Sequence, residues 1–438
     1  MKRTMVLKTV AVLGAASLAL AACSSDSGET DAAATTEETA AATEEAATEE
    51  AAVECQNPTL VLGTLLPATG DLAFLGPPEF AGVEMALADI DAAGGVLGAP
   101  VTYLEGDSGD TTTDIASQTV DSQLAQGVQA IIGAASSGVS LTVIDKITSN
   151  GVVQFSPANT APALTTYEDN GLYFRNSPSD VLQGAVIAAQ AVDSGITKMA
   201  VIARQDPYGE GLAAATAKDF EAAGGTVTSN LLYDPAAPSF EAEVAEIKAG
   251  GPEAVAVIGF EESVKLIQEM IKQGVGPQDI QIYLVDGNLS ATAFENFPAD
   301  TMKGVIGTIP TGSVDLQAFY DKMAEFDPSL TDFTYGPQSY DAAMVIALAA
   351  EAAGCADGTA IAAELPNVAG NGGEKCSTYA DCVALIQAGT DIDYEGVTGS
   401  VDFNEYGDLA EGTISINEYS SNTEFAEIGS VTAVVPLP

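Results

Sequence analysis

The sequence predicts an α/β protein built as two similar lobes, and three observations carry that expectation. From Gln56 onward, short apolar, β-branched runs alternate with helical patterns, the signature of buried parallel sheets flanked by helices. Leu87 to Gly138 and Phe220 to Ser263 share an element order: Ala-Gly-Gly, a strand, a polar turn, a helix and a second strand. The roughly 380 residues after Cys55 also exceed the usual size of one hydrophobic core.

Strands are expected at Thr59–Leu66, Val101–Glu105, Gln129–Ile132, Val152–Phe155, Thr197–Ala203, Thr226–Tyr233, Glu253–Ile258, Gln281–Val285 and Lys303–Ile309. Each is short, rich in Val, Ile, Leu and Ala, and bounded by turn-forming residues. Phe80–Ala92, Asp114–Gln126, Val181–Ser194, Gly209–Ala223, Phe240–Ala249 and Glu262–Gln273 fit amphipathic helices between them.

The N-terminus reads as an export signal. Lys2, Arg3 and Lys8 form a basic start, and Met5 to Ala22 is apolar but short for a membrane span. Leu20-Ala21-Ala22-Cys23 resembles the lipobox of bacterial lipoproteins. That resemblance implies a signal peptide over residues 1–22, cleavage before Cys23 and a lipid on its thiol. Residues 23–55 are mostly Ala, Thr, Glu, Asp and Ser, with too little apolar bulk to offset the entropy of ordering. They read as a disordered acidic tether between a lipid anchor and a folded domain.

Composition excludes several functions. The formal net charge is −48, and loss of the three basic residues of the signal leaves about −51. Such a chain repels phosphate backbones, so nucleic acid is not an expected partner. There is no His at all, which removes the commonest general base and metal ligand and every His-containing triad. No Gly-x-Ser-x-Gly elbow follows a strand, so an enzyme is not expected. No catalytic residue, metal site or cofactor is expected either. Cys55, Cys355, Cys376 and Cys382 suggest two disulfides in an exported chain, and four cysteines allow three pairings. Cys376 and Cys382 are close enough to close a small loop. Cys55 and Cys355 would then tie the start of the folded region to the end of a late helix.

Ligands of open parallel sheets bind beyond the carboxyl ends of the strands, so the loops there carry the functional reading. In the first half these are Pro67 to Gly76, Gly133 to Gly138 and Ser156 to Thr160. They offer hydroxyls, glycines and backbone N–H groups ahead of helices, which suits a carboxylate. In the second half, Arg204 to Gly211, Gly259-Phe260-Glu261 and Asp286-Gly287-Asn288 offer the aromatics Tyr208 and Phe260 and the Asp286 carboxylate. That set complements an ammonium beside an apolar chain. Together the two halves describe a clamp for a zwitterion. Ser137 could equally cap the helix after it, Tyr208 and Phe260 could be core aromatics, and Asp286 could be a turn former.

Pro67-Ala-Thr-Gly70, Asp91-Ala-Ala-Gly-Gly-Val96, Ser156-Pro-Ala-Asn-Thr-Ala-Pro-Ala-Leu-Thr165, Phe174-Arg175 and Tyr208-Gly-Glu-Gly211 occur in that order. At these residues the chain resembles the type I periplasmic binding proteins of ABC transporters, specifically the leucine/isoleucine/valine-binding family, over nearly all of Gln56 to Pro438. The resemblance implies two Rossmann-like lobes joined by three crossovers and closing on a ligand in a central cleft. Residues 56–175 and 309–395 would form lobe 1, and residues 176–308 and 396–438 lobe 2. It further implies that Ser137, Ala158 and Thr160 contact the main-chain groups of an amino acid. Tyr208 and Phe260 would line the other lobe, Asp286 would pair the α-ammonium, and Leu75 with Phe74 would meet the ligand side chain.

The expected protein is thus a monomeric solute receptor, lipid-anchored at the outer face of the cytoplasmic membrane, delivering an amino acid to an ABC permease. A sensor of the same fold for an amide or carboxylic acid is the alternative. Three departures from the family pattern bear on the ligand: Phe260 lacks a hydroxyl, Asp286 is shorter than glutamate, and Asn159 replaces a small residue.

Overall fold

The computed structural model describes residues 55–370 and 372–437. The signal segment, Cys23 and the rest of the tether up to residue 54 lie outside the described residues. The first sheet holds β1 (Val61–Leu65), β2 (Thr102–Leu104), β3 (Ala130–Gly133), β4 (Val153–Ser156) and β5 (Tyr173–Arg175). They are parallel throughout, in the order β2-β1-β3-β4-β5. Helices α1 (Gly76–Ala92), α2 (Ile115–Ala125) and α3 (Ser137–Thr148) join the first four strands.

After α4 (Asp180–Asp193), the second sheet lays down β6 (Lys198–Arg204), β7 (Thr226–Tyr233), β8 (Ala254–Ile258), β9 (Gln281–Val285) and β10 (Ile306–Thr311). Their order, β7-β6-β8-β9-β10, repeats that of the first sheet strand for strand. Helices α5 (Pro207–Ala222), α6 (Glu241–Gly250) and α7 (Ser263–Gln273) sit between them. The two stretches of like sequence therefore form equivalent units, β2-α2-β3 and β7-α6-β8. Every residue of β8, Ala-Val-Ala-Val-Ile, is buried, as a strand covered on both faces requires.

The chain then returns to the first lobe with α8 (Gln317–Phe326), α9 (Gly336–Ala353), α10 (Gly358–Val368) and α11 (Tyr379–Gln387). A small sheet of β11 (Glu374–Cys376), β12 (Ile392–Gly396) and β13 (Gly399–Ser400) accompanies these helices. Helix α9 is apolar nearly all round and is buried from Gly336 to Ala350, packing in one core with α1, β3, β4 and α10. Finally β14 (Glu411–Tyr419) and β15 (Phe425–Val434) add to β10 in antiparallel fashion and finish the second sheet. The chain passes between lobes three times, after β5, β10 and β13.

Buried polar anchors pin these passages. Arg175, at the end of β5, donates from Nε and Nη2 to the two oxygens of Asp408, at 2.6 and 2.7 Å, and from Nη1 to the Ala161 carbonyl at 3.0 Å. Asp341 on α9 accepts from Tyr394 Oη, from the Val397 and Thr398 N–H groups, and from Thr398 Oγ1 at 2.6 Å. Cys55 meets Cys355 just after α9, with Cα atoms 5.6 Å apart across 300 residues of chain. Cys376 meets Cys382 at 5.4 Å.

Helix α3 was not among the expected helices. Its Ser-Gly start and β-branched Val139, Thr142, Val143 and Ile144 weaken the helical pattern, but burial of Val139, Val143, Ile144 and Ile147 holds it. Nothing past Ile309 was assigned, because α9 has no polar face to give it a period and β11 and β13 are very short.

Candidate functional site

The loops following β1, β3 and β4 meet those following β6, β8 and β9 around one narrow cavity. Its lining is Leu72 and Leu75, Ala135 to Ser137, Ala158, Thr160, Tyr208, Phe260, Asp286, Gly287 and Tyr335. Seven of the eight expected ligand residues are thus brought together. The exception is Phe74, which turns into a neighbouring crevice with Asp71, Ala73, Val264, Ala293 and Phe294. In the loop after β1 it is Leu72, rather than Phe74, that joins Leu75 in the apolar wall. A wider polar groove behind the cavity shares only Tyr335 with it.

The first-lobe wall is a set of hydroxyls and N–H groups at the start of α3. Ser136, not Ser137, is the cap: its Oγ accepts from the Val139 N–H at 3.4 Å. Ser137 Oγ instead accepts from the N–H groups of Thr160 and Ala161, at 3.3 and 3.2 Å. That ties the loop after β4 to the helix terminus, so the Thr160 N–H is already partnered within the protein. Asn159 faces away from the cavity. Its Nδ2 donates to the carbonyls of Ala134 and Ala135, and its Oδ1 accepts from Tyr173 Oη at 2.9 Å. The amide that departs from the family pattern therefore braces two first-lobe loops.

The second-lobe wall centres on Asp286, which is only 6% exposed. Its Oδ1 accepts from Gln183 Nε2 at 2.8 Å and from Tyr208 Oη at 3.3 Å, and its Oδ2 accepts from Tyr335 Oη at 2.8 Å. Burial pushes its pKa above the ordinary carboxylate value, against the opposing pull of these donors. Tyr208 and Phe260 stack with ring centroids 5.4 Å apart. The Phe260 ring lies so close to Gly287 that a Cβ there would come within 2.6 Å of it, so glycine lets the ring lie flat against the backbone beside Asp286.

Among the described residues, no Lys or Arg lines the cavity. An anionic group there has N–H groups, hydroxyls and the positive end of α3 to meet, and a cationic group has Asp286. Two further carboxyls are buried: Asp180 at the start of α4, beside the Thr160 hydroxyl, and Glu79 on α1, which has no hydrogen-bond partner among the described residues. Burial raises the pKa of both, and the Asp286 carboxylate raises that of Asp180 further.

Tyr335 and Gln183 were missed in the sequence. Gln183 lies one turn into α4 and carries no local signal. Tyr335 directly precedes Gly336-Pro337, a helix start, and adopts a left-handed backbone with φ of 61°.

Two Rossmann-like lobes with a cavity at the carboxyl ends of both sheets define the type I binding-protein class of two-lobed receptors. The family model for periplasmic binding proteins matches residues 59–404, and the chain belongs to that family. A Leu/Ile/Val-binding protein homolog 1 from Brucella abortus is 30% identical over 313 residues, covering 68% of this chain and 80% of that protein. Among solved structures, a leucine binding protein LivK from Thermotoga maritima aligns with a TM-score of 0.71 at 21% identity, over 85% of this chain and 99% of that one. A solute binding protein of an ABC transporter from R. palustris, in complex with benzoate, aligns with a TM-score of 0.68 at 17% identity, over 86% and 97%. Both structural likenesses are likenesses of fold.

Proposed function

We propose that this protein captures an aliphatic α-amino acid, with branched-chain side chains as the leading class, and hands it to the permease of an ABC importer. The observation that carries this reading is the asymmetry of the cavity. One wall offers hydroxyls, N–H groups and a helix N-terminus, the other a buried carboxylate, and apolar Leu72, Leu75, Ala135 and Phe260 lie between. The ligand carboxylate would meet Ser137 and Thr160, its ammonium the Ala158 carbonyl and Asp286, and its side chain the apolar wall. The name of the Brucella relative supports the same class.

Charge-assisted bonds of roughly 1.5–3 kcal/mol each, made to both lobes, suffice in number for closure. Moving an open pair from 1:99 to 99:1 closed takes about 5.5 kcal/mol of preference for the closed state. The lipobox-like Leu20 to Cys23 and the two cysteine pairs support export and anchoring: Cys23 would carry the lipid, the acidic tether would hold a monomeric domain within reach of its permease, and the cysteine pairs would be oxidised.

A second reading, a carboxylic acid or amide as ligand, has one observation in its favour. The solute binding protein of the same fold from R. palustris is solved in complex with benzoate, a carboxylic acid's anion. A thermal-shift panel on unfolded and refolded protein separates the readings. Leu, Ile or Val should raise the melting temperature most, with Ala and Glu weaker. No shift with any amino acid and a shift with an aromatic acid or amide would overturn the first reading.

A further inference from the structure

Arg204 lies just outside the cavity lining, in an adjoining crevice with Asp71, Leu72 and Phe260. It ends β6, is 2% exposed, and spends two of its nitrogens inside the second lobe. Nε donates to Asp206 Oδ2 at 2.6 Å, and Nη1 to Glu262 Oε1 and Oε2 at 3.1 and 3.3 Å. Glu262 Oε1 is itself fixed by Tyr233 Oη at 2.8 Å and by the Phe260 N–H at 3.2 Å. The guanidinium carbon sits 3.6 Å from the centre of the Phe260 ring, the ring that stacks on Tyr208 and lines the cavity. Burial works to lower the pKa of Arg204, but Glu262 and Asp206 outweigh it and the net shift is upward, so the charge is permanent.

The remaining nitrogen, Nη2, points out of this network. Its partner is Asp71 of the first lobe, with Oδ2 at 3.8 Å and the side chain 39% exposed. Asp71 belongs to the loop after β1 that also supplies Leu72 and Leu75 to the cavity. The pair therefore spans the cleft beside the cavity, and it links the loop that carries Leu72 and Leu75 to the end of β6, where the guanidinium packs on the Phe260 ring.

We infer that Arg204 and Asp71 form an electrostatic latch: Arg204 is a positioning residue that holds Phe260 in place within its own lobe and binds Asp71 only when the lobes are closed. The division of labour follows from the distances. The bonds to Asp206 and Glu262 keep the guanidinium aimed whether the cleft is open or closed, so the latch is pre-formed on one side. The partly exposed Asp71 side is the half that is made and broken. Such a latch acts after encounter, so it slows dissociation and leaves association alone.

The inference rests on the proposed amino-acid reading for its probe, L-leucine. Stopped-flow kinetics on wild type, Asp71→Asn, Asp71→Lys and Asp71→Glu test it, since the Asp71 side chain is 39% exposed and takes no part in the bonds of Arg204 to Asp206 and Glu262. Asp71→Asn should speed dissociation by roughly two- to five-fold, the range for a partly exposed pair. Asp71→Lys should speed it further, Asp71→Glu should restore it, and kon should hold in all of them. The ratio of variant to wild-type koff should fall toward one between about 0.01 M and 1 M salt, as the screening length drops from roughly 30 Å to 3 Å. Equal koff for wild type and Asp71→Asn at low salt, or a ratio indifferent to salt, would overturn the latch. If L-leucine does not bind the wild type, the amino-acid reading fails separately. The latch is then read from inter-lobe distances in ligand-free protein, where Asp71→Lys must lie more open than Asp71→Glu and identical distributions overturn it.

Discussion

Tyr335 Oη donates to Asp286 Oδ2 at 2.8 Å across the cleft. Tyr335 stands before α9, which packs in the first-lobe core, and Asp286 follows β9 of the second sheet. One hydrogen bond thus couples lobe closure to the carboxylate proposed to hold the ligand ammonium. Because Tyr335 occupies a left-handed backbone conformation that costs a non-glycine residue roughly a kcal/mol or more, its placement at this point is itself over-determined by the surrounding packing.

Tyr335→Phe keeps the ring and removes the donor. A hydrogen bond to a charged group contributes roughly 1.5–3 kcal/mol, so ligand affinity should fall about tenfold or more, with the change in dissociation. Calorimetry and stopped-flow traces on the same variant measure both; unchanged affinity would mean that the bond is dispensable for closure.

Breaking the Arg175–Asp408 pair should cost fold stability rather than a specific contact. Both side chains are buried, at 0% and 2% exposure, and Arg175 also holds the carbonyls of Asn159 and Ala161. Asp408→Asn leaves the guanidinium without its countercharge, a loss of about 3–5 kcal/mol. Urea titration of variant and wild type reads it, and a difference below about 1 kcal/mol, the scale of an exposed pair, would contradict the account.

Stability should fall as pH rises from 4 to 7. Burial raises the Asp341 pKa from 3.8 to about 6, over the opposing donors Thr398, Val397 and Tyr394. A carboxyl whose folded pKa lies above its unfolded one binds its proton more tightly when folded. Its contribution is therefore fully present below about pH 4 and is lost as pH rises through about 6, roughly 3 kcal/mol in all. Asp286, Asp180 and Glu79 shift in the same direction. Scanning calorimetry across this range should show the fall in wild type and a shallower one in Asp341→Asn; equal slopes would rule Asp341 out as a source.

Reduction should destabilise the fold through Cys55–Cys355. The pair closes a loop of 300 residues, and loss of a native disulfide typically costs about 2–5 kcal/mol. Cys55→Ser should reproduce most of the drop in melting temperature seen with a reductant, while Cys376→Ser, which opens a loop of 6 residues, should contribute less. Insensitivity of the melting temperature to reductant would contradict oxidation of either pair.

The parts of the fold legible in the sequence were those with a clear period or composition. Ala254–Ile258 is a fully buried run that only a two-sided sheet explains, and the Ala-Gly-Gly turns marked both βαβ units. The loops Gly133–Gly138, Ser156–Thr160 and Asp286–Asn288 could be placed because a parallel sheet puts its ligands at strand ends. Illegible were contacts that depend on tertiary geometry. Ser136 and Ser137 are both plausible caps by sequence, and the extended backbone at Ser136, ψ of 124°, together with its bond from the Val139 N–H separates them. Phe74 and Leu72 are two residues apart in an irregular loop, where no period tells which one turns inward. Gln183 and Tyr335 reach Asp286 from elements far away in the chain. Asn159 looked like a change in the site and is instead a brace beneath it.

Asp286→Asn, titrated with L-leucine by isothermal calorimetry, tests the central claim most directly. The substitution keeps the side-chain shape and removes the charge proposed to pair the ammonium. Affinity should fall by about tenfold or more, as expected for losing a charge-assisted bond, while the unliganded protein melts as a folded domain. An affinity equal to wild type would remove Asp286 from the ammonium site and with it the zwitterion clamp.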